Sequence, residues 1–138
     1  KNAPSIIMWS LGNEVFQQTI STSDHGRYPE VAAQLIQWVA EEDATRYVTF
    51  GDNQFKGNES NDSNVATQTA KVFAGASQYG VPGGLPGYNY GGSGQIQNGH
   101  NKGWMVYGSE TASSINSRGV YDRKTNGGDG GKGGGGVA

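Results

Sequence analysis

Two nearly continuous apolar runs constrain this chain more than any other feature in it. "SIIMWS" at Ser5–Ser10 and "WMVYGS" at Trp104–Ser109 carry apolar residues at successive rather than alternate positions. A strand with one wet face alternates, so such runs suit strands buried on both faces, as in parallel sheets. Tyr47–Phe50 and Gly87–Tyr90 complete a set of four expected strands. Between the first two, the segment from Pro29 to Asp43 predicts a helix. Pro29 fits the first turn, Glu30 its positive end, and Val31, Leu35 and Val39 recur at four-residue spacing. A weaker helical pattern runs from Asn64 to Phe73. Strand, helix, strand, helix, strand predicts an α/β architecture built from βαβ units. The Gly- and Asn-rich stretch between Tyr90 and Trp104 predicts no helix.

Composition removes several function classes. The chain has 138 residues, enough for one domain with a real core. A net charge of −2 gives no basic field for nucleic acid. Cysteine is absent, and His25 and His100 make no zinc pattern. No apolar stretch approaches the ~18 residues of a membrane span. The run "GGDGGKGGGG" at 127–136 has nothing to pack and predicts a flexible tail over 127–138, apart from a domain at 1–126. As a phosphate loop it fails, because Gly133 stands where Ser or Thr should bind magnesium. "GDNQFKGNESNDSN" is a polar loop whose acids have the wrong spacing for calcium. No cofactor or metal is implied, and oligomeric state and localisation carry no signal.

The chemistry-bearing residues follow the apolar runs. After the first, "SLGNEV" places Asn13 and Glu14 where the chain has only just left the core; after the last, "YGSE" does the same with Glu110. A charge in such a place needs a partner or a job. In α/β folds chemistry gathers at the carboxyl edge of the sheet, so two carboxylates there, on different strands, can come face to face. Facing carboxylates are what glycosidic bond cleavage requires. Two solvated loop residues would carry the same pattern, and spacing alone does not separate the readings.

The segment "NAPSIIMWSLGNEV" closely resembles the acid/base segment of glycoside hydrolase family 2, the family of β-galactosidases, β-glucuronidases and β-mannosidases. "YGSETASSINSRGVYDR" resembles that family's nucleophile segment, in a form most like bacterial β-galactosidases, and "GYNYG" fits the strand between. The resemblance implies part of a (β/α)8 barrel, roughly strands four to seven with their helices. It implies a retaining hydrolase of terminal β-galactosides, with Glu14 as general acid/base and Glu110 as nucleophile. Asn13 would bind the sugar's 2-hydroxyl, and Tyr90 would orient Glu110, with Tyr88 as the fallback. Trp9 and Trp104 sit inside apolar strands, which favours core packing over sugar stacking. Asp52 and Asn53 follow the second strand and could reach substrate hydroxyls.

The resemblance runs from Lys1 to about Arg123 and supplies four of eight barrel strands. Strands one to three, strand eight and the family's β-sandwich domains are not in the sequence, so an internal segment with exposed edge strands and little activity of its own is expected. β-Glucuronidase or β-mannosidase specificity is the nearest alternative. A non-catalytic carbohydrate-binding or structural segment is the alternative of another class.

Overall fold

The computed structural model describes residues 3–17, 25–55 and 64–111. The expected tail at 127–138, most of the nucleophile segment beyond Thr111, and much of the polar loop after Phe55 lie outside them. Four strands, β1 (Met8–Asn13), β2 (Tyr47–Asp52), β3 (Gly84–Asn89) and β4 (Tyr107–Glu110), form one sheet in the order β1-β2-β3-β4, every pair parallel. Helices α1 (Tyr28–Asp43), α2 (Val65–Ala74) and α3 (Ser93–Asn101) fall between successive strands. Sequential parallel strands joined through helices are the arrangement of a barrel segment. No helix among the described residues is long and apolar enough to cross a membrane.

Local sequence accounts for most of these elements. Pro29 and Glu30 occupy the first turn of α1. Asn64 caps α2, its Oδ1 accepting from Thr67 N at 3.2 Å, which satisfies one otherwise orphaned donor. Helix α3 was not expected, since its nine residues "SGQIQNGHN" include two glycines that disfavour helix. Packing overrides that preference: a Cβ at Gly99 would lie 2.6 Å from the Tyr88 hydroxyl, so only glycine lets α3 sit this close to β3. Strand boundaries also moved. β1 begins three residues later than Ser5 and runs on to Asn13, and β3 starts at Gly84 rather than Gly87. β4 pairs with β3 only from Gly87 onward, so Pro86, which has no N–H to donate, sits where the strand has one neighbour.

The two faces of the sheet differ. On the helix side, Val48, Phe50 and Tyr88 pack with Ile36, Phe55 and Phe73. Phe50 lies 5.4 Å from Phe73 and 5.8 Å from Phe55 between ring centroids. The opposite face carries Thr49, Gly51, Gly87, Asn89, Tyr107 and Ser109. Thr49 and Tyr107 bring their hydroxyls to 3.1 Å across three strands.

Candidate active site

Strand alternation alone would scatter the chemical groups, and two irregularities prevent it. Between Ser10 and Asn13, β1 advances three residues while β2 advances only from Thr49 to Gly51. Between Gly108 and Glu110, β4 advances two residues while β3 advances one, from Tyr88 to Asn89. Each is one extra residue, a bulge that re-aims the side chains after it. Both lie on the strands that end in carboxylates, immediately before those carboxylates.

Backbone geometry completes the turn. Glu14 and Tyr90 are the described non-glycine residues with positive φ, at 49° and 53°. This left-handed conformation costs a residue with a Cβ about 1–2 kcal/mol. It is held by hydrogen bonds from Glu14 N to Gly51 O (2.9 Å) and from Tyr90 N to Glu110 O (2.6 Å). A regular strand would send Glu14 and Tyr90 to the face opposite Asn13 and Asn89. With φ positive they turn back to the same side.

One hydrogen-bonded network results. Asn13 Nδ2 donates to Glu110 Oε1 at 3.2 Å, and the Tyr90 hydroxyl donates to Glu110 Oε2. Asn89 Nδ2 donates to Glu14 Oε1 at 3.0 Å and to Asn13 Oδ1 at 2.9 Å. Ser109 Oγ donates to Asn89 Oδ1 at 2.5 Å. The hydrogen bond to the Glu110 carboxylate is the main cause that pushes the Tyr90 phenol above its ordinary value of 10.0, with burial and the negative charges of Glu110 and Glu14 adding to it. Glycine makes the room underneath. A Cβ at Gly51 would come within 2.9 Å of both Asn13 Oδ1 and Asn89 Oδ1, and within 3.0 Å of Ser109 Oγ.

Glu14, Glu110, Asn13 and Tyr90 therefore converge at the carboxyl edge. Tyr88 does not join them; it is 1% exposed, with its ring 6.5 Å from Phe55. Trp9 faces the helices, its Nε1 donating to Asp43 at 3.1 Å, and Trp104 packs at the margin of the core with the Lys102 ammonium 4.8 Å from its ring. Asp52 is fully buried and its Oδ1 accepts from Gln54 N at 2.7 Å, a turn-forming bond, while Asn53 Oδ1 accepts from the Gln54 amide. Sequence reasoning missed Asn89 and Ser109, although both stand next to residues it singled out. A cavity of about 420 Å³ lies away from Glu14 and Glu110, against β1 and α1, and is lined by Trp9, Leu11, Leu35, Trp38 and Val39 with Glu42 and Asp43. Apolar side chains make up most of its lining. Among the described residues no group of three or more His, Cys, Asp or Glu side chains could hold a metal.

A family model described as "Glycosyl hydrolases family 2, TIM barrel domain" matches residues 1–82. The match takes in β1 with Asn13 and Glu14 and ends before Tyr90 and Glu110. No curated protein sequence matches the chain.

Proposed function

The chain belongs to glycoside hydrolase family 2, as part of its TIM barrel domain, and from that membership we propose a retaining hydrolase of terminal β-galactosides. The observation that carries the reading is the joining of Glu14 and Glu110, from two distant strands, through Asn13, Asn89 and Tyr90.

In this reading Glu110 attacks the anomeric carbon as the bond to the leaving oxygen breaks, and Glu14 gives that oxygen its proton. A glycosyl ester on Glu110 forms. Water then attacks the same carbon, Glu14 takes the water's proton, and Glu110 leaves as carboxylate. Esterification removes one negative charge from beside Glu14 and release restores it, which suits a group that is acid in one step and base in the next. Asn13 and Tyr90 each donate to a different oxygen of Glu110, which fixes the plane of the attacking carboxylate. The Asn13 amide also suits a sugar 2-hydroxyl, a contact that strengthens as the oxocarbenium-like charge develops.

The galactoside preference rests on the wording of the "GSETASSINSRGVYDR" segment. Galactoside and glucuronide hydrolysis, compared in the protein that carries this chain, tests it: faster glucuronide turnover would replace galactose by glucuronic acid. The roles are tested by azide. A Glu14→Ala variant should regain turnover of an activated aryl galactoside with azide and release a β-galactosyl azide, the product of two inversions. Rescue of a Glu110 variant with an α-azide would exchange the two roles.

A further inference from the structure

We infer that Asn89 and Ser109 are positioning residues that set which end of the Asn13 amide faces the sugar; the inference rests on the glycosidase reading above. A side-chain amide has two ends of almost the same shape, and only its neighbours decide which points forward. Asn13 stands at the centre of the candidate site with one end toward Glu110. To donate to a sugar hydroxyl or to a carboxylate, it must present nitrogen there. That requires a donor behind it, against its oxygen.

Asn89 supplies that donor. Its nitrogen has two protons, and both are used, one on Asn13 Oδ1 at 2.9 Å and one on Glu14 Oε1 at 3.0 Å. Its own oxygen takes the Ser109 hydroxyl at 2.5 Å. The polarity is therefore consistent along the chain of bonds: Ser109 to Asn89, Asn89 to Asn13, Asn13 to Glu110. Reversing Asn89 would set its oxygen against Asn13 Oδ1 and against a carboxylate oxygen of Glu14. Burial makes such a reversal costly, since Asn89 is 2% exposed and an acceptor facing an acceptor is penalised most away from bulk solvent. Gly51 lies under both amide oxygens, and Gly87 under Ser109, where a Cβ would come within 2.7 Å of Oγ. The two glycines let three polar side chains from three strands meet on the sheet surface. Ser109 also comes from the strand that carries Glu110, so the same strand places the attacking carboxylate and sets the direction of the amide beside it.

A residue that only supports the fold would slow every substrate alike. One that aims Asn13 at the 2-hydroxyl changes how much that hydroxyl is worth. The experiment compares kcat/KM for an aryl β-galactoside and its 2-deoxy analogue in the protein carrying this chain, unaltered and as Asn89→Asp and Ser109→Ala. Aspartate has the shape of asparagine but nothing to donate, so Asn13 loses the partner behind it. The ratio between the two substrates should fall about ten- to hundred-fold in Asn89→Asp and about two- to tenfold in Ser109→Ala. Equal slowing of both substrates, with the ratio unchanged, would overturn the inference while leaving the glycosidase reading intact. Absence of glycoside hydrolysis by the unaltered protein would remove that reading itself. If Asn89→Asp does not fold, Ser109→Ala, which deletes a single oxygen, decides alone: a reduced ratio supports the inference and an unchanged ratio ends it.

Discussion

At the amino-terminal end of the sheet, Asp43 meets Arg46, Trp9 and Thr45; at the carboxyl end, Glu14 and Glu110 meet Asn13, Asn89 and Tyr90. Asp43 is tied off by opposite charge. Arg46 Nη1 lies 2.5 Å from its Oδ2, while the same guanidinium donates to Ile6 O at 2.7 Å and Ala3 O at 3.0 Å just before β1 begins. The acid therefore spends its charge on joining the end of α1 to the entry of β1. At the other end two carboxyl groups are joined in one network by neutral amides and a phenol. Amides orient a carboxylate without cancelling its charge, which suits the substrate role proposed for Glu14 and Glu110. One polar cluster fastens the chain. The other joins two carboxyl groups in a network that, in the proposed reading, acts on a substrate.

The largest effect on activity should come from Glu110→Gln, which keeps the shape of the side chain but cannot form a glycosyl ester. Turnover should fall by more than about 10⁴-fold, while the melting temperature changes little. A variant that lost stability and kept activity would erase the distinction between the two ends. Gly51→Ala comes next. The new methyl would displace Asn13, Asn89 and Ser109 together, and a displacement approaching an ångström can cost about 100-fold. Kinetics beside thermal unfolding would show activity falling well before stability.

Tyr90→Phe is a smaller lesion. It removes one of two donors on Glu110, and a loss of about tenfold in kcat/KM is expected. The phenol titrates above 10.0 when folded, so its hydrogen bond is intact below that pH and is lost as pH rises through the raised value. The ratio of unaltered to Tyr90→Phe activity should thus stay level between about pH 5 and 9. A ratio that changed within that range would mean another group governs the contact.

The same two ends differ in how far they could be read from sequence. Helix α1 was legible at nearly full length because its apolar spacing and Pro29 are local signals. The two glutamates were legible because each follows an apolar run, and the family segments gave Asn13 and Tyr90 as candidates. What was not legible is how the four residues reach one side of the sheet. That depends on one extra residue in β1 and one in β4, and an extra residue exists only relative to a partner strand. Asn89 and Ser109 were hidden for a related reason. Their importance comes from facing each other across the β3–β4 pair, whereas in sequence each is a small polar neighbour of a more conspicuous group. Asp43 is only the last residue of the expected helix in sequence, and nothing local reveals that Trp9, 34 positions earlier, donates to it.

Asp43→Asn should have the smallest effect on activity and the clearest effect on stability. The Thr45 hydroxyl, at 2.5 Å, is the main cause holding the Asp43 carboxyl well below the usual carboxylate range. The Thr45 N–H, the Trp9 indole and Arg46 add to it and outweigh the opposing effect of burial. Because the folded carboxyl holds its proton less tightly than the unfolded one, the unfolded chain binds more protons in acid. The stability this cluster contributes is therefore fully present above the ordinary value of 3.8 and lost as pH falls below it. Unfolding of the protein that carries this chain, followed between about pH 7 and 3, should show stability declining below about pH 4. In Asp43→Asn the starting stability should be lower, since Arg46 loses its counter-charge, and the decline below pH 4 should be shallower because one titrating group is gone. Activity per folded molecule at pH 7 should match the unaltered protein, because the cluster lies at the end of the sheet opposite Glu14 and Glu110. Loss of activity in the folded variant would show that the two ends are coupled through β1, the strand that Arg46 anchors at its entry and that Glu14 follows at its exit.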